Sequence, residues 1–134
     1  MNDDDLIAAA REARERAYAP YSRFRVGAAL LVEDGRVFVG CNVENAAYGL
    51  CNCAERTALF SAVAAGVPPA SLRRLAVIGD TPQPIPPCGA CRQVMLELGG
   101  AQLSVVLANL QGQRRVTDAG ALLPEGFSMP ATAA

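Results

Sequence analysis

Cys53-Ala54-Glu55, followed some thirty residues later by Pro87-Cys88-Gly89-Ala90-Cys91, is the part of this chain that can do chemistry. Three thiols in that arrangement can hold one Zn²⁺ and leave its fourth position open to water. A carboxylate two residues after the first thiol is then placed to carry protons to and from that water. The residue types that are missing narrow the field further. The chain has no histidine, and all twelve basic residues are arginine. A Ser-His or Cys-His dyad, a Schiff-base lysine and a phosphate-loop lysine are all excluded. Proton transfer near neutral pH falls to a carboxylate or a metal-activated water.

The surrounding sequence must bring these groups together. Asn2 or Asp3 can cap a first helix running to about Ala17, with Leu6, Ile7, Ala10 and Ala13 on one face. Val26 to Val32 reads as a buried strand. Glu33-Asp34-Gly35 turns it, and Val37 to Val43 returns as the second arm of a hairpin. Asn45 to Asn52 is a loop. A second helix starts near Cys53 and stops before Gly66-Val67-Pro68, a C-cap glycine followed by a breaker. Leu75 to Ile78 forms a short strand, and Thr81 to Pro87 a stiff proline-rich loop. A third helix spans Gly89 to Leu98. Leu103 to Leu107 and Arg114 to Thr117 read as strands around a turn, and Ala119 to Leu123 as a short helix. This order of elements predicts an α/β fold in which one mixed sheet is covered by helices on both sides. With 134 residues, half of them apolar, and no repeat or long linker, one domain spanning 1–134 is expected, its tail flexible after about residue 130.

Both thiol segments fall at expected helix N-termini, where free N–H groups and the helix dipole favour thiolates. Cys88 and Cys91 lie about one helical turn apart, so their sulfurs can face one point. Three thiolates leave the centre with a net negative charge, which weakens the metal as a Lewis acid. Arg56, beside Glu55, and Arg92, beside Cys91, are candidates to offset it through bonds to sulfur. Ordinary helix-surface roles for both remain open. So does a closed four-thiolate structural site that recruits Cys51, although such a site has no use for Glu55. A thioredoxin-like reading of Cys88-x-x-Cys91 leaves Cys53-Ala54-Glu55 unexplained.

Composition bounds the partners. The formal net charge is −1. Arg11, Arg14 and Arg16 are interleaved with Glu12 and Glu15, the pattern of a solvated helix face. Nucleic acid is therefore not an expected partner. No apolar run approaches membrane-spanning length. The acidic start Met1-Asn2-Asp3-Asp4-Asp5 is unlike a secretory signal, which points to the cytoplasm. In that compartment five cysteines suit metal binding or catalysis better than disulfides.

Phe24-Arg25-Val26-Gly27-Ala28-Ala29, Asn42-Val43-Glu44-Asn45-Ala46-Ala47-Tyr48-Gly49-Leu50, Cys53-Ala54-Glu55-Arg56-Thr57-Ala58 and Pro87-Cys88-Gly89-Ala90-Cys91-Arg92-Gln93 resemble the small homotetrameric zinc-dependent cytidine deaminases. The Ala-Glu and Pro-Cys-x-x-Cys elements are shared across the zinc deaminases. Four segments in order, from about Leu6 to Phe127, make the likeness specific. The resemblance implies a three-layer α/β/α fold on a mixed five-stranded sheet. It implies one zinc per chain on Cys53, Cys88 and Cys91, with Glu55 as proton shuttle. It also implies that Asn42 and Glu44 hold the ribose hydroxyls and that Phe24 packs on the pyrimidine. The backbone C=O of Ala54 and N–H of Cys88 would meet the base edge. Ala46, Tyr48 and Phe127 resemble residues that reach a neighbouring subunit's site. The implied reaction is hydrolytic deamination of cytidine and 2′-deoxycytidine in pyrimidine salvage. Read as residues alone, Phe24 also fits plain core, Tyr48 fits loop packing, and Asn42 fits a strand end that binds its own backbone. Cys51 departs from the family pattern and receives no role, and neither does Cys41.

Overall fold

The computed structural model describes residues 1–130; the final four residues, where the flexible tail was expected, lie outside the described part. The elements run α1 (Asp3–Arg14), β1 (Val26–Val32), β2 (Val37–Cys41), α2 (Ala54–Ala64), β3 (Leu72–Gly79), α3 (Gly89–Gly99), β4 (Ser104–Asn109), β5 (Arg114–Asp118) and α4 (Ala119–Leu122). The five strands form one sheet in the order β2-β1-β3-β4-β5. β3 and β4 are parallel, and every other neighbouring pair is antiparallel.

Local sequence sets the ends of these elements. Asn2 caps α1 in a capping box with Asp5, and three aspartates in the first turn face the positive end of the helix dipole. The helix stops at Arg14 rather than Ala17, and the ion pairs Arg14–Glu15 and Arg16–Glu12 lie at its C-terminal end. β2 ends at Cys41, two residues early. Val43 leaves the ladder to bridge Tyr18 on one side and Asn52 on the other, so it belongs to the loops around the site. β3 reaches back to Leu72, three residues before its apolar run, because Arg74 and Leu72 continue the pairing with β1. The Asn45–Asn52 loop contains one 3-10 turn at Tyr48–Leu50.

The sheet separates two cores. On one face α1 packs Leu6 and Ala10 against Ala29, Ala76, Ile78 and Val106. On the other, α2 and α3 cover Ala28, Leu30, Leu75, Val77, Val105 and Leu107 with Ala58, Leu59, Ala62 and Met95. Alternate residues of β1 and β3 thus serve opposite cores, as the two-residue period of a strand requires. Small residues set the spacing. A Cβ on Gly40 would lie 2.4 Å from the Ala54 carbonyl oxygen and 2.5 Å from the Ala58 nitrogen. Only glycine lets α2 sit this close to β2.

Candidate active site

Topology explains why the thiols meet. β2 and β3 run in the same direction with β1 between them, and each is followed by a helix on the same face of the sheet. Consistent handedness of such crossovers puts both helices on one side. Both helix N-termini therefore rise at one edge of the sheet, beyond the carboxyl ends of β2 and β3. The antiparallel β1 starts at that same edge, which brings Phe24 and the residues after β2 to the same place.

Cys53 is the N-cap of α2 and Cys88 the N-cap of α3, both in extended conformation and neither spending its side chain on a cap hydrogen bond. Cys91 lies one turn into α3 and is fully buried. Among the described residues, Cys53, Cys88 and Cys91 form a converging set, their sulfurs all within 4.8 Å of one another. The Cys53 and Cys88 sulfurs are 3.7 Å apart. Tetrahedral zinc with bonds of about 2.3 Å requires sulfurs about 3.8 Å apart, so the set fits the ion. Cys51 does not join it. Its sulfur accepts the Asn45 N–H at 3.3 Å and lies 3.5 Å from the Asn45 carbonyl, inside the loop. The closed four-thiolate alternative loses its fourth member.

Protons on the thiols are shared unevenly. A hydrogen bond from Cys91 holds Cys53 down to about 5, with Arg56 and Cys88 adding to the effect. The same bond to Cys53 pushes Cys91 well up, and burial adds to it. One thiolate is thus already favoured, and a metal would displace the remaining protons. Arg56 donates from Nη2 to the Cys53 sulfur at 3.4 Å. Its own pKa is raised, first by that bond. Its Nε is buried without a partner. Arg92 behaves differently. It donates to the Pro87 carbonyl at 2.8 Å and the Leu122 carbonyl at 2.7 Å, so it braces the backbone that leads into Cys88 rather than a sulfur.

Glu55, in the first turn of α2, is 5 % exposed. Burial raises its pKa to about 7, and the nearby Cys53 thiolate adds to the rise. A carboxyl poised near neutrality can both take and give a proton. It shares a cavity of about 240 Å³ with Phe24, Asn42, Cys53, Ala54 and Cys88. Val26, Val77, Ile85 and Pro86 complete the apolar wall. Ile85 and Pro86 come from the proline-rich loop, where nothing in the sequence marked them. Gly79, at the end of β3, also escaped notice. A Cβ there would come within 3.4 Å of the Phe24 ring.

The remaining candidates are placed as follows. Asn42 accepts the Val26 N–H at 2.8 Å and donates to the Phe24 carbonyl at 2.7 Å, the backbone role left open for it. Glu44 is not among the residues lining the cavity; it accepts the N–H groups of Tyr21 and Ser22 at 3.0 and 3.1 Å. The Ser22 hydroxyl also donates to it, and these bonds lower its pKa, the Ser22 hydroxyl most. Ala46 is exposed, and Tyr48 and Phe127 are 76 % and 67 % exposed. None of these three lines the cavity of its own chain.

An α/β/α sandwich with three cysteines at two helix N-termini and a buried glutamate beside them defines a zinc-binding deaminase domain. Residues 1–107 match the family described as the cytidine and deoxycytidylate deaminase zinc-binding region, and the chain belongs to that family. It is 53 % identical over 128 residues to a cytidine deaminase of Sporosarcina psychrophila, covering 96 % of this chain and 93 % of the relative. To a cytidine deaminase of Halalkalibacterium halodurans it is 55 % identical over 128 residues, with 96 % of each covered. The crystal structure of cytidine deaminase from Burkholderia pseudomallei superposes with a TM-score of 0.94 at 66 % identity, covering 95 % of this chain and all of that one.

Proposed function

We propose that this protein deaminates cytidine and 2′-deoxycytidine hydrolytically, giving uridine or 2′-deoxyuridine and ammonia in pyrimidine salvage. The observation that carries the reading is the buried Glu55 next to three converging thiols in one cavity with Phe24. Cys53, Cys88 and Cys91 would hold a zinc ion, which would supply a water acidic enough to ionise near neutral pH. Glu55 accepts that proton and passes it to ring N3 while C4 is attacked. It then takes the second proton from the hydroxyl now on C4 and delivers it to the amino group, so that the C4 carbonyl forms as the C–N bond breaks and ammonia leaves. The helix N-termini and Arg56 offset the negative charge of the thiolates. Phe24 packs on the pyrimidine, the Ala54 carbonyl and Cys88 N–H read its edge, and Asn42 and Glu44 meet the ribose.

A homotetramer belongs to the same reading. Tyr48, Leu50 and Phe127 are large apolar side chains left in solvent, and Phe60 and Val63 are exposed on α2 opposite its buried face. Exposed apolar side chains of this size suit subunit contacts. Through them Ala46, Tyr48 and Phe127 reach a neighbour's site. A cytoplasmic location is part of the same proposal; no described helix is long and apolar enough to cross a membrane. An ultraviolet assay with a nucleoside panel tests the function. Loss of cytidine and 2′-deoxycytidine absorbance with release of ammonia is expected. Stable cytidine bound without turnover would instead make the protein a nucleoside-binding module. A preference for a modified cytosine nucleoside such as blasticidin S would redirect the substrate.

A further inference from the structure

The segment carrying Phe24 is under conformational load. Arg23 sits at φ +58°, in the left-handed region that a non-glycine residue keeps only when its surroundings hold it. Its N–H closes a turn onto the Ala19 carbonyl at 2.9 Å. Two anchors hold the turn. Asn42 grips the Phe24 carbonyl and the Val26 N–H. On the other side the Ser22 hydroxyl accepts the Phe24 N–H at 3.0 Å and donates its own proton to Glu44. An unbroken chain of hydrogen bonds thus runs from the backbone of Phe24 through Ser22 to the Glu44 carboxylate.

We propose that Ser22 is a positioning residue that couples the sugar contact of Glu44 to the base contact of Phe24. The inference rests on the deaminase reading above. A carboxylate has about four acceptor positions. The Tyr21 and Ser22 N–H groups and the Ser22 hydroxyl occupy three of them. One position stays free for a sugar hydroxyl, and the carboxylate is oriented for it before substrate arrives. Without the Ser22 hydroxyl the Phe24 N–H loses its acceptor and Glu44 loses one of its three donors. The Phe24 ring, packed close over Gly79, is then free to shift. Binding suffers, while Glu55 and the three thiols, on other elements, are untouched.

The test compares steady-state kinetics on cytidine for the parent, Ser22→Ala, Ser22→Thr, Glu44→Gln and the Ser22→Ala/Glu44→Gln double variant, with zinc content and thermal unfolding measured alongside. A lost hydrogen bond at a partly exposed site translates to a three- to tenfold change. Ser22→Ala is expected to raise KM by about that much, with kcat within about twofold and zinc content unchanged. Ser22→Thr, which restores the hydroxyl, is expected to recover most of the loss. The double variant is expected to be no worse than the poorer single variant, because both substitutions break one chain. Parent-like KM in Ser22→Ala, a fall confined to kcat, no recovery with threonine, or strictly multiplicative losses would each overturn the coupling. A fall in zinc content and melting temperature that accounts for the lost activity would also overturn it, by making Ser22 a folding residue only. A parent that leaves cytidine unchanged would overturn the deaminase reading and the coupling with it. A parent that turns cytidine over while Ser22→Ala matches it would overturn the coupling alone.

Discussion

Replacing Glu55 with glutamine removes the proposed proton shuttle while keeping the volume of a side chain that is 5 % exposed. Two separate consequences follow from the same burial. The first is catalytic. General acid–base catalysis by one group is worth roughly 10²–10⁴-fold, and Glu55 serves more than one proton transfer, so kcat is expected to fall by at least about 10³-fold. Zinc content should not change, because the thiols are intact. The second consequence concerns stability. Burial raises the Glu55 pKa from its ordinary 4.5 to about 7, so the folded state holds the proton that the unfolded chain releases. Below pH 4.5 both states are protonated and the fold has its full stability. As pH rises from 4.5 to 7 the unfolded state ionises first, and the fold loses about 3 kcal/mol, levelling off above pH 7. An amide does not titrate, so Glu55→Gln should lose less stability over this window. The comparison is made on zinc-stripped protein, since the ion's charge also acts on Glu55. Urea unfolding of both proteins at half-unit steps from pH 5 to 8 reads the difference. Parallel stability curves would refute the burial argument. Activity within a few-fold of the parent would refute the shuttle.

Three further outcomes are expected. Metal analysis should find one zinc per chain, and X-ray absorption should show three sulfurs at about 2.3 Å; four sulfurs would restore the closed structural site. Gly40→Ala should lower the melting temperature by about 8 °C, on a cost of about 2 kcal/mol. The added methyl meets the α2 backbone at 2.4 Å, so zinc content should fall as Cys53 is displaced; an unchanged melting temperature would refute this account of the β2–α2 spacing. Phe127→Ala should weaken the proposed tetramer or substrate binding without loss of zinc, read by sedimentation and KM. An active parent monomer at micromolar concentration would refute the assembly. Should Phe127→Ala prove inactive, mixing it with Glu55→Gln should restore part of the activity, and no recovery despite confirmed subunit exchange would count against a shared site.

What the sequence determined by itself was the chemistry and most of the framework. The lack of histidine and lysine left thiolates and carboxylates as the only groups able to hold zinc and move protons near neutrality. The apolar run of β1 and the glycines and prolines that punctuate α2 and α3 act locally, so their positions could be read with errors of a residue or two. The convergence of Cys53 with Cys88 and Cys91 was legible as spacing, but its cause is the sheet order, which sets both helix N-termini at one edge. Side-chain destinations were decided in three dimensions. Arg56 and Arg92 look alike in sequence, each next to a site residue, yet one reaches a sulfur and the other two carbonyls. Their helices present them to different neighbours. Ser22, Gly40 and Gly79 carry no signal a motif could show, because each matters through a partner that is distant in sequence. Spacing along a chain records what a residue can do; which partner it does it with is set by packing between elements that the chain brings together only on folding.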